Sequence, residues 1–171
     1  MSVVHKQLEL LLIGGQVRRF HTVPVLKEQS VAAHSHGVVL LTRILLGDAC
    51  RAEALTMAAL HDMGEWSTGD IPSPAKRRMG ITDHVTALED AAITGLGFTL
   101  PECTAEELRA IKLADCFEGM LFCISERAMG NRAIKTAFSN WLEYVAEMEP
   151  KAIERDVLQY IVAQWRMQDG R

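Results

Sequence analysis

Residues 61 to 65 read His-Asp-Met-Gly-Glu, so an imidazole and a carboxylate stand side by side with a second carboxylate about one helical turn further on. Imidazole and carboxylate together suit divalent Zn, Mn, Fe or Co. On a helix, His61 and Asp62 project about 100° apart, so one ion at the edge of that face can touch both, and Glu65 stacks one turn away. A lone His-Asp pair is common in proteins that bind nothing. Its meaning depends on partners supplied by other elements.

Apolar residues recur at helical spacing along nearly the whole chain, with no convincing period-two stretch, which predicts an all-α fold. A first helix runs from Met1 to Ile13 and ends at Gly14-Gly15; an irregular stretch broken by Pro24 follows. Ser30 caps a second helix to about Leu46, closed by Gly47-Asp48. A third spans about Arg51 to Trp66, before a loop from Ser67 to Pro74, and Thr82 to Gly95 is a fourth. Thr104 with Glu107 forms a capping box that opens a fifth helix to about Met129. Asn131 to Glu149 and Pro150 to Gln168 bring the count to about seven.

Two further ligands emerge from asking which polar residues lie on apolar stripes. On the second helix Val31, Val38, Leu41 and Leu45 form the stripe; His34 falls on it, whereas His36 is rotated about 200° from His34 and points outward. On the fifth helix Asp115 lies in line with Leu108, Ile111, Gly119 and Phe122, where burial without a cation or donors is costly. His34, His61, Asp62 and Asp115 thus form a two-nitrogen, two-oxygen set from three helices. With no thiolate among them, the set argues against a closed structural zinc site and leaves positions for water and substrate.

Composition sets the bounds. The 171 residues, 49% hydrophobic, suffice for one well-filled core, so a single domain over residues 1–171 is expected. A net charge of −4 argues against a nucleic-acid polymer as partner. Cys50, Cys103, Cys116 and Cys123 form no CxxC pair, and neither a signal peptide nor a membrane-length apolar run is found, which points to a cytoplasmic protein with reduced thiols. The last two helices carry Ile134, Phe138, Trp141, Val145 and Met148, then Ile153, Val157, Tyr160, Ile161 and Trp165. That is more apolar surface than a small interior readily absorbs, so a homo-oligomeric interface is expected.

The order His, then His-Asp, then Asp on successive helices resembles the HD-domain phosphohydrolases, an all-α superfamily of metal-dependent enzymes acting on phosphate esters. Surrounding words narrow the likeness: Arg19-Phe20 fifteen residues before His34, HDMGE at 61 to 65, TGDIPSPAK at 68 to 76, and Lys-Leu-Ala-Asp at 112 to 115. These are similar to the Arg-Trp pair, HDxxE, TGDxPTPxK and KxAD of the 5′-deoxynucleotidase branch. The resemblance covers about residues 10 to 130. With only 50 residues between Glu65 and Asp115, the chain is compact in the manner of the small phage dATP triphosphohydrolases of viruses whose genomes carry 2-aminoadenine.

The resemblance implies a compact HD-domain bundle and hydrolysis of a deoxynucleotide at its α-phosphorus, assisted by Zn, Co or Mn. It gives Glu65 the more catalytic part and lets Asp70 support both water and substrate. Arg19, Lys76 and Lys112 are the implied phosphate-binding cations, and Phe20 and Thr22 the implied wall against the base. Phe20 departs from the tryptophan usual after the arginine. Arg77 and Arg78 have no support from the motif and are read as surface residues. The relatives' assemblies imply a hexamer over a dimer, and a phage-encoded enzyme would work in the host cytoplasm.

Overall fold

The computed structural model describes residues 2–168, so the expected helix start at Met1 lies outside the described residues. Among the described residues the chain forms eight α-helices, one more than the spacing predicts: α1 (Val3–Ile13), α2 (Val31–Leu46), α3 (Ala52–Leu60), α4 (Ser73–Met79), α5 (Thr82–Gly95), α6 (Ala105–Ala128), α7 (Lys135–Glu147) and α8 (Ala152–Met167). The extra element is α4. Its Pro74 sits in the first turn, where the missing N–H has no partner to lose, so the proline opens a helix where the sequence reads a loop.

The expected third helix also divides. α3 ends at Leu60, and after an exit turn the chain tightens into a 3₁₀ turn, Met63–Trp66. Gly64 explains the break: it lies so close to α5 that a Cβ there would come within 2.3 Å of the Glu89 carbonyl oxygen. Crossing α5 at that range takes the backbone off the α-helical path, leaving His61 and Asp62 in the turn. Asn131 likewise does not start α7. Its amide donates to the Pro24 carbonyl and to Glu126 and its Oδ1 accepts from the Ala133 N–H, tying the turn before α7 to the irregular segment before α2.

α6 is the central rod, about 36 Å long at 1.5 Å per residue for its 24 residues. Its buried Leu113, Phe117 and Met120 pack with Val38 and Leu41 of α2, Phe138 and Val145 of α7, and Ile161 and Trp165 of α8. A smaller cluster joins Leu10 of α1 and Val31 of α2 to Leu60, Met63 and Ile93. The apolar stripes of the last two helices are therefore largely spent inside the chain's own core. The exposed apolar face lies instead on α1, at Val4, Leu8, Leu11 and Leu12.

Two carboxylates on α6 fasten other segments to it. Glu107 receives two guanidinium hydrogen bonds from Arg51 at the start of α3, at 2.7 and 2.6 Å, and closes the capping box with Thr104. Arg51 and the Thr104 backbone N–H hold its carboxyl down at about 2. Glu126, fully buried, accepts from the backbone N–H groups of Leu26 and Lys27 at 2.7 and 2.8 Å. Burial alone would raise its carboxyl, but Asn131 and those two amides hold it below its ordinary value. Depressed carboxyls stabilise the fold fully above the unfolded value of 4.5 and lose that contribution as pH falls toward about 2. The melting temperature is expected to drop across that window. Glu107→Gln should lower it at pH 7 and flatten the drop, as read by thermal melts from pH 7 to 2; an unchanged pH profile would refute this part for Glu107. Glu126→Ala leaves two amide donors unmatched and should cost about 3 kcal/mol in a denaturant titration.

Candidate metal centre

Three elements meet at one point. α2 delivers His34 from its buried face, the turn after α3 delivers His61 and Asp62, and α6 delivers Asp115. One ligand atom from each of the four lies within 4.8 Å of all the others. His34 Nε2 is 3.4 Å from Asp62 Oδ2 and 3.3 Å from Asp115 Oδ1, and His61 Nε2 is 3.4 Å from Asp62 Oδ1.

The donor chemistry fits a divalent ion. His61 Nδ1 lies 2.8 Å from the Ala58 carbonyl oxygen, and His34 Nδ1 pairs with Glu118 Oε2. A carbonyl only accepts, so His61 donates from Nδ1; the Glu118 carboxylate likewise accepts from His34 Nδ1. Both Nε2 atoms then present lone pairs, and both are buried without a hydrogen-bond partner. Orphaned nitrogens aimed at two carboxylates are what an ion would satisfy. Burial opposes ionisation of Asp62 and Asp115. Arg19 nevertheless holds Asp62 below its ordinary value, and Lys112 and Arg19 hold Asp115 well below. Arg19 contacts Asp62 at 2.6 Å and Asp115 at 3.8 Å.

Glu65 lies beside this cluster, 4% exposed, with Oε2 lacking a partner. Burial first, then the negative charges of Asp62 and Asp70, push its carboxyl up to about 9. Asp70 follows Gly69, whose φ of +76° takes the left-handed conformation that returns the loop to the site. Arg19, Phe20, Thr22, His61, Asp62, Glu65, Asp70, Lys76, Lys112 and Asp115 all line one cavity of about 770 Å³. His34 is not among these lining residues; it is fully buried behind them.

The cavity brings the expected substrate residues together, and besides Arg19 on Asp62 and Lys112 on Asp115, Phe20 and Lys76 are already engaged. Phe20 adopts φ +59°, rare outside glycine, which turns its ring onto Phe122 at 4.5 Å between centroids and edge-on to Trp141 at 5.6 Å. It is both core and cavity wall. Lys76 lies 3.5 Å from Glu89 of α5, which also accepts from Thr68 Oγ1 at 2.9 Å.

A family model described as 5′-deoxynucleotidase YfbR-like matches residues 15–163. The chain belongs to this family. A dATP triphosphohydrolase of Salmonella phage PMBT28 is 32% identical over 139 residues, 72% of this chain and 68% of that one. Among solved structures, a cyanophage S-2L HD phosphohydrolase bound to dA and one catalytic Zn²⁺ ion superposes with TM-score 0.69 at 18% identity, over 98% of each chain. An HD-domain phosphohydrolase from Listeria innocua gives 0.74 at 19% identity, over 95% of this chain and 89% of that one. At those identities the two structures establish the shared helical fold. The 5′-deoxynucleotidase YfbR-like family makes the chain a hydrolase.

Within this YfbR-like chain, the residues behind the ligands escape the sequence reading. Glu118 stands one turn beyond Asp115 on α6; besides His34 it accepts from Gln29 Nε2 at 2.7 Å, and Gly37 on α2 leaves the room it needs, since a Cβ there would sit 2.5 Å from Glu118 Cγ. Glu89 falls between buried Val85 and Ile93 on α5, the same polar-on-a-stripe signal that singles out Asp115. A ligand histidine whose other nitrogen is fixed by a carboxylate binds its ion more tightly. Glu118→Gln is therefore expected to weaken Zn²⁺ or Co²⁺ binding about 10- to 100-fold in a chelator competition, with the helical circular-dichroism signal retained. Unchanged affinity would remove Glu118 from the centre.

Proposed function

We propose that the protein is a divalent-metal-dependent dATP triphosphohydrolase, converting dATP and water to deoxyadenosine and triphosphate. The likeness that carries this reading is the 32% identity to the phage dATP triphosphohydrolase over most of both chains. The zinc-bound, dA-bound cyanophage structure of the same fold supports the metal and the nucleoside. In this reading His34, His61, Asp62 and Asp115 hold the ion, and residues 1–171 act as one catalytic domain.

When bound, the ion polarises a phosphoryl oxygen and acidifies water beside it. The residues do the rest. Water oxygen bonds to the α-phosphorus, the bond to the 5′-oxygen breaks, and the proton lost by water reaches that oxygen. Glu65, buried at the cavity wall with an unpartnered oxygen, orients the water and passes the proton. Asp70 supports both water and substrate from the following loop. Arg19, Lys76 and Lys112 offset the phosphate charge, each already steadied by a carboxylate, at 2.6, 3.5 and 2.7 Å respectively. Phe20 and Thr22 border the base; a wall near purine C2 admits adenine and rejects a 2-amino group by clash.

The family description favours a second reading, 5′-deoxynucleotidase action on deoxynucleoside monophosphates. Metal-loaded protein incubated with dATP and with dAMP separates them: triphosphate and deoxyadenosine from dATP are expected, and phosphate from dAMP alone would overturn the first reading. Glu65→Gln should lower kcat by about 10² to 10⁴ with either substrate while metal affinity changes little.

The reading includes a homo-oligomer, a hexamer favoured over a dimer; the exposed apolar face of α1 supports association without selecting between the two. Its place is the cytoplasm, that of the host if the gene is a phage's. Among the described residues, no helix is long and apolar enough to cross a membrane.

A further inference from the structure

Four cationic side chains line the cavity: Arg19, Lys76, Arg77 and Lys112. Three of them are already matched. Arg19 is 2.6 Å from Asp62, Lys76 is 3.5 Å from Glu89, and Lys112 is 2.7 Å from Asp115. Among the described residues, Arg77 is the cavity cation with no carboxylate within ion-pair distance. Its guanidinium lies 5.3 Å from the Tyr144 ring centroid, and Lys112 Nζ lies 5.8 Å from the same ring. Asp115, Lys112, Tyr144 and Arg77 therefore form a succession leading from the metal cluster to the outer cavity.

That arrangement has a consequence for charge. An anion at the cluster meets cations whose charge the protein has largely offset, whereas one reaching further out meets an uncompensated guanidinium. A guanidinium held over an aromatic ring by cation–π attraction keeps its N–H fork for phosphate oxygens, and less side-chain freedom is lost on binding. Arg78, its neighbour, shares the last turn of α4 and any favourable interaction with the helix terminus, yet does not line the cavity.

We propose that Arg77, supported by Tyr144, reads the phosphates beyond the α-phosphate and sets the preference for a nucleoside triphosphate over a monophosphate. The inference rests on the triphosphohydrolase reading above and deepens it by naming a specificity residue. The sequence treats Arg77 and Arg78 alike, as surface residues; the fold separates them.

The test compares kcat/KM for dATP and dAMP in metal-loaded wild type, R77A, R77K, Y144L and R78A, with inorganic triphosphate and inorganic phosphate as inhibitors. R77A is expected to lower the dATP-to-dAMP ratio about tenfold, mainly through KM for dATP, and to weaken inhibition by triphosphate about tenfold more than inhibition by phosphate. R77K should recover part of the ratio, Y144L should reproduce part of the loss, and R78A should leave the ratio at the wild-type value. An R77A ratio equal to wild type, or an equal fall in R78A, overturns the Arg77 inference and leaves the triphosphohydrolase reading standing. Wild type that frees phosphate from dAMP but no triphosphate from dATP overturns both.

Discussion

Two carboxylates brought together, half-buried, in the wall of one cavity are the constraint around which this molecule is arranged. Asp62 and Asp115 both lie within 3.4 Å of one histidine nitrogen, and neither could stay ionised there without positive charge. The fold gathers it from two directions, Arg19 from the irregular segment before α2 and Lys112 from one turn earlier on α6, while two imidazoles whose other nitrogens are occupied turn lone pairs to the same point. Glu65 shows the other outcome of the same field. Its nearest strong influences are burial and negative charge, and its carboxyl rises where those of its neighbours fall. Carboxyls pushed in opposite directions within a few ångströms suit a site that needs fixed ligands and a group able to hold a proton.

α6 holds the arrangement in register. Four acidic residues along this one rod each fasten a different segment: Glu107 fixes Arg51 at the start of α3, Asp115 enters the candidate metal cluster, Glu118 orients His34 on α2, and Glu126 pins Leu26 and Lys27. The last of these matters for the site even though it is remote from it. Leu26 and Lys27 belong to the segment that carries Arg19, Phe20 and Thr22, and without an anchor that stretch has little regular structure of its own; the Arg18 to Ser30 bridge and the Asn131 hydrogen bond to the Pro24 carbonyl are further ties. A helix is stiff enough to relate such distant contacts to one another, which loops alone could not do.

Much of this is legible from residue order because helices impose a period. A polar residue on an apolar stripe must be paired or bound, and that rule locates His34 and Asp115 without reference to their neighbours in space. The all-α reading holds for the same reason, since a period of 3.6 is a property of the local chain. The rule was equally able to find Glu89 between Val85 and Ile93. Departures occur where a contact with a distant element decides the backbone. The exit turn at His61 and Asp62 follows from Gly64 meeting α5, and the surplus apolar stripes of α7 and α8 turn out to be core because α6 is long enough to receive both.

The sequence by itself determines the helical class, the residue types available to the candidate centre and the inward placement of His34 and Asp115 on their helices, because those depend on local geometry and on the cost of burying charge. Only the tertiary structure decides which groups stand behind and around them. Glu118 lies 84 residues from His34, and Glu89 lies 13 from Lys76 on a different helix, so no local period connects either pair. The same holds for Arg77 and Arg78: adjacent in sequence and identical in chemistry, they part because a helix rotates successive residues by about 100°, and the fold brings Tyr144 of α7 within reach of one of them.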